Sequence, residues 1–281
     1  MFFSESLGLM FAACFFISVF TFPWIQAFAK NLYWIPFTWF LPAVFTLKYY
    51  LASNTKYSFL WLVGFFFSVL FKSMCGYEYI STIILFASAI FLIDPFLENP
   101  IRSKNHSFLL FTLTCLIATL AFFTALIFHA YTRGDTIGAG LLNIFDEDVK
   151  RSTIVVIDSV YKSHIDVLKR FIFKRAYYML GIGGKFFGIA FILALTISTL
   201  KIFTNKPSRA RDFVLLAVFS MAPMSWFILA KEHSRLHTHI SFVLWCLGCS
   251  AAIWFIIVKN IKCIFFKILD LNRIKVSRTY F

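Results

Sequence analysis

Between Ser225 and His239 the chain reads SWFILAKEHSRLHTH, which sets Lys231, Glu232, His233, Arg235, His237 and His239 between two apolar runs. Ionisable side chains in such company need water, a partner or a task, and a membrane surface supplies all three. His233 and His237 are four apart, so a continuing helix puts them on one face; Glu232 and His239, seven apart, share another. Such a pair ligates a metal only when a third ligand converges on it. The HExxH order of metalloproteases is absent, because the glutamate precedes the first histidine. The knot therefore reads either as a helix end dressed for the headgroup region or as a substrate-contacting group, with Trp226 beside it as an interfacial anchor or a stacking surface. No metal and no cofactor is assigned.

Two more constellations carry chemistry. Tyr77, Glu78 and Tyr79 precede Ser81 and Thr82, and Glu78 stands at the mouth of an apolar run. A carboxylate there either caps a helix N-terminus, where the dipole favours negative charge, or acts as a general base or sugar ligand. His129, Arg133 and Asp135 lead into RGDTIGAG. A guanidinium beside mobile glycine amides suits a phosphate, although the same glycines suit a plain linker, with a helix expected from Leu141 to Arg151. Asp146, Glu147 and Asp148 read as a solvated face.

The elements that must position these groups are apolar. The chain is 60% hydrophobic and 14% charged, with 39 Phe, against about 45–50% and about 25% in soluble proteins. Lipid is the solvent this composition requires, and the charge of +14 is then read as topology and anionic headgroups, with no nucleic acid as partner. The expected fold is all-α, a polytopic transmembrane bundle of about eight spans. They are Leu7 to Phe28, Trp34 to Leu51 (interrupted by Pro36 and Pro42), Phe59 to Met74, Tyr79 to Leu97, Phe108 to Ala130, Gly181 to Phe203, Phe213 to Ala230 (kinked at Pro223), and Ile240 to Val258. No cleavable signal peptide is evident before the first.

Sorting the basic residues orients the bundle. With a cytoplasmic N-terminus, Lys48, Lys56, Arg102, Lys104, Lys201, Lys206, Arg209, Arg211, Lys259, Lys262, Lys267, Arg273, Lys275 and Arg278 fall inside. The short outer loops keep Lys30, Lys72, Lys231 and Arg235. Both termini are then cytoplasmic, in the manner of a multi-pass protein of a bacterial inner membrane. Residues 1–131 hold the first five helices, 132–180 an extracytoplasmic segment, 181–258 the last three helices, and 259–281 a basic tail. Within the outer segment, Val160 to Tyr178 interleaves apolar positions with Lys162, Lys169, Arg170, Lys174 and Arg175, the composition of a helix lying in the headgroup plane. Cys246 and Cys249 form a CxxC inside an apolar run and read as packing residues on one helical face; no disulfide framework is expected.

A bundle with its polar groups gathered on the outer face and an amphipathic outer helix resembles the GT-C class of membrane glycosyltransferases. The resemblance is one of layout and rests on the Glu78 turn, the Arg133 to Arg175 segment and the Lys231 to His239 knot. It implies sugar transfer from a polyprenyl-phosphate or similar lipid at the noncytoplasmic face, in cell-surface glycan assembly. Membrane lipids and the lipid-linked sugar would be the partners, with other membrane proteins as further ones. Members of that class carry an acid in the first outer loop, and Lys30 to Tyr33 holds none. The resemblance then assigns the catalytic role to Glu78 or Asp135, unless a preceding portion of the chain supplies it. It gives Arg133, Lys169, Arg170 and Lys174 the lipid phosphate, His233 and His237 the orientation of donor or acceptor, and Tyr77 and Trp226 stacking. The competing expectation is a noncatalytic transporter, flippase or assembly subunit for lipid-linked material, whose bundle would move about discontinuous, proline-broken helices.

Overall fold

The computed structural model describes residues 8–20, 34–52, 56–97, 100–149, 163–169, 186–203, 210–231, 234 and 242–278. Throughout these residues the regular structure is helical. The helices are α1 (Gly8–Phe20), α2 (Trp34–Ala52), α3 (Ser58–Met74), α4 (Ile80–Ile93), α5 (Lys104–Arg133), α6 (Ile137–Ile144), α7 (His164–Lys169), α8 (Phe186–Ile202), α9 (Ala210–Leu229) and α10 (Cys249–Arg278). Each of the apolar runs expected to form a helix contains one. By length and apolarity α5 and α9 are long enough to cross a membrane; α1, α3, α4 with its 3₁₀ extension Asp94–Phe96, and α8 are shorter apolar helices.

Contacts between elements give the helix directions. Trp39 meets Tyr79 near the starts of α2 and α4, and Tyr50 bonds to Asp94 at their other ends, so these two run parallel. Ser225 near the end of α9 bonds to Ser81 at the start of α4, so α9 runs against α4. Tyr77 joins His129 late in α5, which makes α5 antiparallel to α4 as well. Lys201 at the end of α8 reaches Asp212 at the start of α9. The molecule therefore has two ends: one carries the α3–α4 turn, the end of α5 and the end of α9; the other carries Asp94, Lys201, Asp212 and Lys259.

On α5 and α8 the packing is inverted relative to a water-soluble core. Along α5 the buried positions Ser107, Leu110, Thr114, Ala118, Ala121 and Ala125 are spaced three and four apart on one stripe, and Ala130, five further on, is buried against the α6 corner. Phe108, Leu109, Leu116, Leu120, Phe123, Ile127 and Phe128 point outward and are exposed. In α8 the inner stripe is Phe187, Gly188, Ala190, Ala194 and Ser198, with Ile189, Ile192, Leu193 and Leu200 outside. Small residues let helix backbones approach where apolar side chains gain nothing by leaving their surroundings.

Three sequence expectations are corrected. Helix α2 runs unbroken through Pro42, and α9 through Pro223, because a backbone among apolar neighbours has no better alternative than the helix. Pro36 lies in the first turn of α2, where no donor is needed. The last apolar run is divided: a 3₁₀ turn, Phe242–Cys246, is followed by Gly248 at φ 98°, and α10 then continues to Arg278. A side chain at Gly248 would meet the Phe219 ring at 2.3 Å. Cys246 and Cys249 thus flank a turn instead of sharing a helical face, and Cys249 Sγ lies 3.4 Å from Ser220 Oγ. Finally, the expected 141–151 helix begins earlier, at Ile137, because the Thr136 hydroxyl accepts from Ala139 N and caps it.

Candidate functional site

The end that gathers most of the sequence candidates is built on the α3–α4 turn. Helix α3 closes on Cys75, whose N–H bonds back to Phe71 O and Lys72 O, and Gly76 follows at φ 142°. Tyr79 sits at φ 63°, a left-handed conformation that costs a residue with a Cβ about 1–2 kcal/mol. Its ring is buried edge-on between Trp39, at 5.8 Å, and Trp226, at 5.1 Å, and these contacts hold the strained turn. Two residues along, the Ser81–Ser225 hydroxyl bond of 2.9 Å ties α4 to α9.

Tyr77 is half-buried; its hydroxyl shares a 2.5 Å hydrogen bond with His129 Nδ1, and its ring stacks edge-on against Phe122 and His129. Glu78 is exposed. Arg133 and Asp135 are exposed at the α5–α6 corner, and Lys169 is exposed on α7. Arg170, Lys174, His233 and His237 lie outside the described residues. Of the knot, Lys231 and Ser234 are described: Ser234 N donates to Ala230 O, which carries helical bonding one turn past α9, and both side chains are buried, Lys231 at 7% exposure. Lys231 and Ser234 therefore face protein.

Two of the glycines of RGDTIGAG, Gly134 and Gly140, serve packing. A Cβ on Gly140 would lie 1.8 Å from Ala130 O, and one on Gly134 would lie 2.4 Å from Gly140 N. The amides of Ala139 and Gly140 are taken by Thr136, through its hydroxyl at 3.2 Å and its carbonyl at 2.9 Å. Amides so engaged are not donors to a phosphate, so Ala139 and Gly140 do not form the cradle, whereas Arg133 is exposed beside them.

Sequence reasoning counted Lys72 as an anchor at the end of an apolar run. In the structure it is buried, with 6% exposure, and its ammonium donates to Gly76 O at 2.7 Å, the one acceptor it has among the described residues. The Glu78 carboxylate acts on it electrostatically from across the turn. Burying an ammonium costs several kcal/mol, whereas a cation at a helix C-terminus gains about 0.3–1 kcal/mol; capping α3 does not offset the burial. Ser73 and Thr82 flank the same turn, fully buried, with hydroxyls that have no hydrogen-bond partner among the described residues. Periodicity could show that these residues end a helix, but not which neighbours cover them.

The buried acids of the opposite end are satisfied. Asp94 accepts from Tyr50 OH, Ile101 N at 3.0 Å, Arg102 N at 3.1 Å and Ser107 Oγ at 3.3 Å. Asp212 is bridged by Lys201 at 2.7 Å, Lys259 at 3.1 Å and Arg211 at 3.4 Å. A half-open cleft of about 320 Å³, mostly apolar and lined by Phe91, Leu92, Pro95, Phe96, Lys104, Asn105 and Phe108, lies at this end of α4. Among the described residues no group of three or more His, Cys, Asp and Glu is placed to hold a metal ion.

The chain matches no known protein family, no curated protein and no solved structure.

Proposed function

We propose that the chain is a multi-pass membrane protein with about eight spans and both termini cytoplasmic, and that it transfers a sugar from a polyprenyl-phosphate or similar lipid at the noncytoplasmic face. The observation that carries this reading is the asymmetry between the two ends. At one, each buried acid is matched by donors or cations; at the other, Lys72, Ser73, Thr82 and Ser234 are buried polar groups with capacity to spare. Buried polar groups are ordinarily satisfied, and a set left short on the face bearing the acid, guanidinium and histidine candidates is where a polar ligand completes the structure. Glu78 or Asp135 then accepts the proton of the acceptor hydroxyl, Arg133 with Lys169, Arg170 or Lys174 stabilises the departing phosphate, and Tyr77 and Trp226 line the sugar. The outward-facing large residues of α5 and α8 support the membrane placement.

The test is the composition of lipid-linked and surface glycans in cells lacking the protein, complemented with wild type, Glu78→Gln, Asp135→Asn or the double variant at matched membrane levels. A missing sugar restored by wild type and not by the double variant supports the transferase. Full restoration by the folded double variant sinks it.

A further inference from the structure

We infer that Lys72 is an anion-binding residue, and that the α3–α4 turn receives the phosphate of the lipid-linked ligand; the lipid carrier rests on the reading above, whereas the anion site rests on this turn alone. A buried ammonium has three protons to place, and Gly76 O takes one of them. The Ser73 and Thr82 hydroxyls, buried on either side of the turn, are likewise without partners among the described residues. The space for a ligand is beside Gly76, where a Cβ would meet nothing within 4 Å. A tetrahedral oxyanion entering there meets the point charge directly. Lysine is suited to phosphate as a compact charge with rotatable donors. Tyr79, held left-handed between Trp39 and Trp226, is the rigid side of the turn, and local strain of this kind persists where the surroundings over-determine it.

The experiment uses the full chain in phosphatidylcholine nanodiscs, with a long-chain polyprenyl monophosphate, the corresponding polyprenol and inorganic phosphate as probes, and native mass spectrometry as readout. Wild type is expected to retain the monophosphate over the alcohol; Lys72→Met to lose on the order of tenfold in retention, and Lys72→Arg to keep most of it. A second pair separates binding from folding. Ser73→Ala and Thr82→Val remove orphaned hydroxyls, so they leave thermal stability equal or higher while weakening retention a few-fold. Equal retention of monophosphate by wild type and folded Lys72→Met overturns the inference, as does equal retention of polyprenol. Displacement of the lipid by inorganic phosphate supports the anion site and overturns the assignment to a lipid-linked phosphate. Loss of binding in Lys72→Met with surface glycans unchanged in cells would leave the site standing and remove the transferase.

Discussion

Asp94 is the residue whose removal the structure prices most directly. Its carboxylate is fully buried and takes four donors from α2, the α4–α5 connection and α5. Asp94→Ala strands all of them. Hydrogen bonds to a charged acceptor are worth about 1.5–3 kcal/mol each but are not additive, and each buried donor left unsatisfied costs about 1–3 kcal/mol. In a membrane the unfolded state finds partners too, which reduces an average bond to about 0.6 kcal/mol; four bonds on that scale set a floor of about 2 kcal/mol. The expected loss is therefore about 2–5 kcal/mol. Asp94→Asn keeps an oxygen for Tyr50 and Ile101 but turns an amide donor toward the Arg102 N–H. The Ser107 hydroxyl can reverse to accept, so the cost falls to about 1–3 kcal/mol. Equilibrium unfolding in mixed micelles, followed by tryptophan fluorescence, measures both. Tyr50→Phe completes a double-mutant cycle, with an expected coupling of about 0.5–3 kcal/mol. An Asp94→Ala protein within about 0.5 kcal/mol of wild type, or a coupling of zero, would refute the reasoning that the network holds this end together.

Gly140→Ala forces a methyl into the Ala130 carbonyl, a backbone atom that cannot move aside, and should cost at least about 1–3 kcal/mol; Gly138→Ala, whose nearest neighbour is Thr136 Oγ1 at 4.0 Å, should be neutral or gain up to about 1 kcal/mol, and equal melting of the two would contradict the corner geometry. Tyr77→Phe removes the bond to His129 and should cost about 0.5–1.5 kcal/mol, read from the same unfolding curves. In a variant keeping Cys75 alone, the exposed thiol should react with a membrane-impermeant maleimide added from the noncytoplasmic side; labelling from the cytoplasmic side alone would invert the topology. On α7, the Ser163 hydroxyl bonds to Asp166 at 2.7 Å and holds its carboxyl below the ordinary value. A depressed folded value means that the pair supports α7 above the unfolded pKa of about 3.9 and that this support is lost as pH falls through the lowered one. Ser163→Ala should move the Asp166 titration upward by carbon NMR, and an unmoved curve would discount the bond.

The helices and their inner faces were open to sequence reading for one reason: in an apolar chain the backbone must bond to itself, so a run of sufficient length is a helix wherever it lies. That reasoning placed α3, α4, α5, α8 and α9 to within a few residues, and it put Tyr77, Glu78, Arg133 and Trp226 at a common end. It misjudged the prolines of α2, where it expected an interruption, since propensity learned in water overstates what a proline does among apolar neighbours. It left the glycines after Arg133 open between a phosphate cradle and a linker, because a glycine needed for a close backbone approach and one needed for a phosphate look alike until Ala130 is seen against Gly140.

The sequence by itself determined the helical class, and it set the expectation of lipid as solvent and of which end faces the cytoplasm, since these follow from composition and from charges counted along a line. Tertiary structure alone decided which polar groups are satisfied. Asp94 and Asp212 have their partners from other helices, while Lys72, Ser73 and Thr82 are covered without a full set, and burial is a property of neighbours distant in the chain that no spacing of residues encodes.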